Sequence, residues 1–456
     1  MLYLIKISIA FLAAYFFGRV IYLFFCAPKE KHNIISRIHG FLLGLGFTSI
    51  SFWFYTIATN GCNSNYPIIE ICFIAVIYLY LWIKKRKKIT SLSLAKSHEN
   101  NIIIKKKRFL INYLIIILFG FLAVFCLFKC LRYSDGTWDA VAMWNFRAKF
   151  LALGNESWNR MYFDAFDYTH RDYPLFLPCI IARCYNYAGI IDSTIPLFFS
   201  WFFTVITIVL LYLYLKKLRN KYLAVAAVCI LSYSPQFIHY GCMQYADVPL
   251  ALFVLISLYE FIIWKLKNKN LPWLGIVFAG LCFWIKNEGI PWFIVYSLLI
   301  IFCLYKKEKS FKSVILNFLK LIITLLPIFI SVLFVRYFAN SENDLVVGVL
   351  DRFKQIFVFE RYKTIMPFVV VFFKQHFWIL FIPIYLLAGF INKRYKEFKY
   401  LFLVLLLMYL VFFTVYLITP HDLKWHLDSS FLRITIIYLP SIMFLGCLLF
   451  NLKREK

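Results

Sequence analysis

Long apolar runs separated by short polar loops recur along the chain near residues 2–26, 38–58, 66–83, 109–130, 193–215, 222–240, 248–264, 271–285, 290–305, 313–338, 376–391, 400–418 and 431–450. A hydrocarbon layer about 30 Å thick takes roughly 20 apolar residues per helix, so the pattern predicts an all-α integral membrane fold of about thirteen transmembrane helices. The run 174–190 stands apart because Arg183 and Asn186 interrupt it, and it is expected as an interfacial or re-entrant helix. In the loop from Ser134 to Pro178, Val141, Trp144, Phe146 or Ala148, and Leu151 follow Asp139 at helical spacing, with Arg147 and Lys149 on other faces. That spacing predicts an amphipathic helix lying on the interface. The first run carries no small-residue cleavage site and is expected to be a retained helix.

Composition sharpens this picture. With 62% hydrophobic and 16% charged residues, soluble enzymes, secreted disulfide scaffolds and disordered chains are excluded. The formal charge of +28 would suggest nucleic acid in a soluble protein, but the Lys and Arg flank apolar runs, so they are topology signals and no nucleic-acid partner is expected. Threaded through thirteen helices, 31 of the 50 Lys and Arg fall on one face, including ten between Lys84 and Arg108. That face is expected to be cytoplasmic, which puts the N-terminus outside, the C-terminus inside and the protein in the cytoplasmic (inner) membrane. Fifteen of the 22 acids collect on the other face. Acids do little to set topology, so their segregation asks for a polar site on the extracytoplasmic side. The twelve cysteines include no CxxC and read as small apolar side chains. No tandem or inverted repeat is evident, and the expected organisation is a three-helix segment with a basic loop (1–108), a catalytic membrane core (109–305) that includes the outer loop 132–174, and C-terminal helices (306–456) with the outer loop 419–433.

Five outer segments carry the candidate chemistry. Asp135 and Asp139 read either as a carboxylate base at the entrance of the amphipathic helix or as helix N-caps, and the local pattern favours the caps. His170 and Arg171, in Thr169–Pro174, suit a phosphate or sugar hydroxyl, or else headgroup contact, while Pro174 and Asp172 fit the start of the next helix. Asp247 opens an apolar helix as a cap or a site group. Lys286, Asn287 and Glu288 form a tight outer turn between two short helices of about 15 residues, which would sink their charges below the lipid surface. His421, Lys424, His426 and Arg433 gather beside Asp422 and Asp428. Phosphate capture suits them better than a metal, for which His421, Asp422 and His426 form only a non-specific set. No cofactor is firmly implied, and any divalent-metal requirement is left open.

Taken in order, Asp139 with Trp144 and ArgAlaLys (147–149), HisArgAspTyrPro (170–174), TyrAlaAspValPro (245–249), TrpIleLysAsnGluGly (284–289) and ThrProHisAspLeuLysTrpHisLeu (419–427) with Arg433 resemble the GT-C class of polytopic glycosyltransferases. The resemblance runs from about Phe109 to Leu449 and is to bacterial relatives of protein O-mannosyltransferases and of the lipid A aminoarabinose transferase. It implies a sugar donor on a polyprenyl phosphate, transfer that usually inverts the anomeric centre, and an acceptor that is a glycan, lipid or protein, with membrane lipids as surroundings. It matches Asp139 to the catalytic acid of the class, Asp247 to a second outer acid and Lys286 to the outer-turn lysine. The remaining candidates for substrate and phosphate are Lys149, His170, Arg171, Glu288, His421, His426 and Arg433. Two features depart from the pattern: three helices precede Phe109, and Asp139-Ala140 stands where protein mannosyltransferases have Asp-Glu, which argues against protein mannosylation. A glycan polymerase or ligase, which would show one large Arg-rich outer loop, and a transporter or flippase, which would show midplane charges and repeat symmetry, are the competing classes.

Overall fold

A computed structural model of the chain describes residues 2–25, 33–89, 106–267, 271–341, 344–376, 387, 390 and 395–449. Every regular element among them is helical, as expected where hydrocarbon offers the backbone no outside partner. Helices α1 (Leu2–Phe25), α2 (Ile34–Ala58), α3 (Tyr66–Ile89) and α4 (Lys106–Leu131) precede the long loop. The loop holds a π-turn (Ala140–Trp144) running into α5 (Asn145–Leu153), then 3-10 turns at Asn155–Tyr162 and Asp164–Thr169. The chain continues as α6 (Phe176–Ala188), α7 (Thr194–Leu218), α8 (Lys221–Tyr233), α9 (Pro235–Cys242), α10 (Asp247–Leu266), α11 (Trp273–Ile285), α12 (Gly289–Glu308), α13 (Phe311–Ile323) and α14 (Leu326–Ala339). After α15 (Val349–Arg352) and α16 (Phe359–Gln375) come, among the described residues, α17 (Tyr395–Leu417), α18 (Leu423–Ile436) and α19 (Leu439–Leu449).

The count of thirteen spans is not reproduced. Seven described helices are long and apolar enough to cross a membrane, and up to ten if each bent pair is one span. Three runs expected as single spans are such pairs: α8 with α9, α13 with α14, and α18 with α19, bent by 68°, 61° and 41°. Pro235, Pro327 and Pro440 lie at or just after these breaks, where a ring without an N–H interrupts the helical ladder. The runs 66–83 and 271–285 correspond to shorter apolar helices, and the run 376–391 lies almost wholly outside the described residues.

Helix α10 is the axis of the molecule, with only Lys265 and Leu266 at its end left unburied. The three N-terminal helices pack into the same core. Gly18, Gly40 and Gly44 let α1 and α2 touch backbone to backbone, since a Cβ on Gly18 would lie 1.8 Å from the Gly40 carbonyl oxygen. The run expected as an interfacial or re-entrant helix is α6: its thirteen residues span about 20 Å, too short to cross, and twelve are buried against α1, α2, α5 and α7, as the re-entrant alternative allows and a surface helix does not. Arg183, which interrupts the apolar pattern, is buried and pairs with Glu70 of α3 at 2.7 Å. A cation inside an apolar helix is tolerated because a carboxylate from another helix meets it.

The amphipathic helix also differs from its expected face. Val141 is 56% exposed, whereas Arg147 is fully buried and donates to the carbonyls of Thr169, His170 and Tyr173. The π-turn adds a residue to one turn, shifting the buried face to Trp144, Ala148 and Leu151 with Arg147 included.

A candidate active site at one end of the bundle

Four segments bring charged side chains to one end of the bundle. Asp139 precedes the π-turn; Asp247 opens α10; Lys286 and Glu288 occupy the turn between α11 and α12; Arg433 lies on α18. α10 and α12 start at this end and carry lysines in their last turns, so the cationic ends point away from it.

These groups form one ion cluster. Arg433 Nη2 lies 2.6 Å from Asp139 Oδ2 and 3.5 Å from Asp247 Oδ2, with its guanidinium carbon 4.5 Å from the centre of the Tyr245 ring. Lys286 Nζ lies 2.9 Å from Asp247 Oδ1 and 2.7 Å from Glu288 Oε1. Asp247 has no exposed surface and Lys286 is 3% exposed. Burial alone would lower the Lys286 pKa, but Asp247 and then Glu288 more than offset it, so the ammonium stays charged above the usual lysine range. With three carboxylates and two cations, the cluster carries one formal negative charge. Among the described residues, Glu288 Oε2 and Arg433 Nε are buried without a hydrogen-bond partner. A substrate entering here meets groups whose bonding is incomplete.

The cluster faces a cavity of about 870 Å³ whose lining includes Asp139, Lys286, Glu288 and Arg433 together with the apolar Ile290, Val346, Val347, Phe412, Val415 and Ile434. Tyr173 also lines it, and burial, followed by the Glu288 and Asp172 carboxylates, holds its phenol protonated well above the ordinary tyrosine range. It is therefore a donor and not a base. His170, His421 and His426 also line it. His421 Nε2 lies 2.9 Å from Asp344 Oδ2, and His426 Nδ1 lies 2.8 Å from Thr419 Oγ1.

The favoured capping role of Asp139 is not what the side chain does. It makes no cap hydrogen bond and turns to Arg433 instead. Asp135 is exposed, takes a bond from the Ser134 hydroxyl at 3.4 Å and does not line the cavity. Lys149 is exposed on the outward face of α5, also away from the cavity. Arg171 turns back into its own loop, binding Asp164, Asp167 and the Tyr162 carbonyl. Its neighbour His170 does line the cavity, from a left-handed backbone at φ 50°. Asp172 does not cap α6, whose cap is Leu175; it accepts from Asn287 at 2.8 Å and pairs with Arg336 at 3.1 Å. Of the two helices around Lys286, α11 is short at thirteen residues, but α12 has twenty.

Arg336, Asn287 and Asp344 line the cavity without having been expected there as a group. Arg336 reads as a single cation at the end of an apolar run, and only the fold sets it opposite Asp172. No three His, Cys, Asp or Glu side chains converge as metal ligands among the described residues. Asp422 of the non-specific metal set instead caps α18 by accepting from the Trp425 amide at 2.8 Å.

Residues 172–334 match the family of dolichyl-phosphate-mannose-protein mannosyltransferases. The match bears out the resemblance to GT-C glycosyltransferases and supports a membrane glycosyltransferase that uses a polyprenyl-phosphate sugar donor. Its segment contains Asp172, Asp247, Lys286 and Glu288, but neither Asp139 nor Arg433. Those two residues join the matched segment through the ion cluster itself. No curated protein and no solved structure matches the chain.

Proposed function

We propose that the chain transfers a hexosyl or pentosyl residue from a polyprenyl-phosphate donor to a cell-surface glycan or lipid on the extracytoplasmic side, with inversion at the anomeric carbon and Asp139 as general base. The observation that carries this reading is one cavity whose lining combines the charged cluster with apolar side chains, the pairing that an amphiphile with a phosphate and a prenyl tail requires. Asp139 accepts the proton of an acceptor hydroxyl as its oxygen attacks the anomeric carbon. The bond from that carbon to the phosphate oxygen breaks, and polyprenyl phosphate leaves with the electron pair. Arg433, Lys286 and His426 surround the space in which that phosphate charge grows. Arg433 and Lys286 are already paired with carboxylates, so the phosphate must draw part of their bonding away. When Arg433 turns toward it, the Asp139 carboxylate is released from its 2.6 Å partner and is free to meet the acceptor hydroxyl.

Mass spectrometry of surface glycans and lipids from cells with and without the intact gene tests this function. Loss of one sugar residue from a defined glycan or lipid, with accumulation of its polyprenyl-phosphate form, is the expected result. Shortened chains of intact repeat units would instead favour a polymerase or ligase, and a lipid-linked sugar held on the cytoplasmic side a flippase.

A further inference from the structure

Gln244 stands in the turn between α9 and α10, three residues before Asp247, and is 3% exposed. Its backbone is left-handed at φ 63°, a conformation that strains a residue with a Cβ and that glycine adopts freely. Its side-chain amide makes three bonds. Nε2 donates to the Tyr133 carbonyl at 2.8 Å and to the Ser134 carbonyl at 2.9 Å, and Oε1 accepts from Asn145 Nδ2 at 2.7 Å. These partners lie on both sides of Asp139 in sequence, so one side chain holds the segment carrying Asp139 at both ends. Gly136 closes against the same amide, where a Cβ would stand 3.2 Å from Gln244 Oε1. Gln244 does not line the cavity. The two carboxylates that meet at Arg433 Nη2 come from segments that Gln244 joins.

We propose that Gln244 is a positioning residue that fixes the Asp139 carboxylate relative to Asp247 and Arg433 by tying the turn before α10 to the Tyr133–Asn145 segment; the inference rests on Asp139 being the general base. A residue that offers two donors and one acceptor at this reach must be Gln here, which explains why glycine does not occupy a left-handed position. Gln244→Gly relieves the backbone and removes the three bonds together, so it separates folding from positioning. The expected result is a kcat lower by roughly 10- to 100-fold, the scale of a displacement of about 1 Å at a reacting group, with KM for the polyprenyl-phosphate sugar within about twofold and thermal stability not reduced in parallel. Gln244→Glu, of equal size but without the donors, should lose kcat likewise. Asn145→Ala, which leaves Gln244 in place, should lose less, and it carries the test if Gln244→Gly fails to fold. Wild-type kcat in folded Gln244→Gly, or in folded Asn145→Ala should the glycine variant not fold, overturns the proposal when Asp139→Asn is inactive. Normal turnover by Asp139→Asn would instead remove the base assignment on which the proposal rests.

Discussion

Replacing Lys286 by Met removes the ammonium that Asp247 and Glu288 share at 2.9 and 2.7 Å. Asp247, fully buried, would then keep only Arg433 at 3.5 Å, and Glu288, whose second oxygen already lacks a partner, would have no cation. Removing one partner of a buried pair costs about 3–5 kcal/mol because the other charge is left uncompensated. The loss should fall at the upper end, since two carboxylates are stranded. Asp247→Asn strands less: Lys286 retains Glu288, and Arg433 retains Asp139 at 2.6 Å. Its cost should lie near the lower end, and the double variant should cost less than the sum of the two by at least about 1 kcal/mol. Unfolding in mixed micelles as the SDS fraction rises, followed by tryptophan fluorescence and helical circular dichroism, gives the four free energies of this cycle. A Lys286→Met cost below about 1 kcal/mol, the scale of exposed pairs, or strict additivity in the double variant would refute the ion cluster as drawn.

Lys286 titrates above the usual lysine range, so its pair is intact below about pH 10.4 and is lost only as pH rises through the raised value. The stability gap between wild type and Lys286→Met should therefore stay constant between pH 7 and 9, and a gap closing over that interval would contradict the pairing. Arg433→Ala should weaken use of the polyprenyl-phosphate donor by roughly 100-fold or more in kcat/KM, with partial recovery in Arg433→Lys, because a point charge meets both carboxylates and the phosphate less well than a planar guanidinium. Donor titrations identical to wild type in both variants would take Arg433 out of the site. Ser193→Cys, at the start of α7, should react with an impermeant maleimide in intact cells above the background of native cysteines, whereas Lys309→Cys, after the lysine-rich end of α12, should not. The reverse pattern would invert the topology.

Hydropathy made the helical class legible because each span must be apolar over its own length, and it made the polar end legible because independent loops deliver acids to one side. It could not distinguish one long span from two bent helices, since the pairs α8–α9, α13–α14 and α18–α19 are as apolar as a straight helix. The burial of helix α6 was hidden for a related reason. Arg183 looks like a surface cation until α3 brings Glu70 to it across 113 residues. Within the site, Asp247, Lys286 and Glu288 stood out as charges beside apolar helices, but their mutual pairing depends on how α10 and α11 pack. The local pattern of Asp139 favours a cap, and only the approach of Arg433 from α18, 294 residues away, shows its carboxylate paired at the cavity. Lys149 and Arg171 were indistinguishable in sequence from groups that reach the cavity, because the π-turn before α5 sets the direction of the first and the turns after α5 that of the second.

The most direct measurement of the central claim is single-turnover transfer by wild type and Asp139→Asn, reconstituted in liposomes with a polyprenyl-phosphate sugar and the acceptor identified from the glycan comparison. The carboxamide keeps the shape of Asp139 but cannot take the acceptor proton. The account predicts that Asp139→Asn binds donor to within a few-fold of wild type while transfer falls by roughly 100- to 10,000-fold, the range of general base catalysis. Transfer within a few-fold of wild type by the folded Asp139→Asn protein would contradict it.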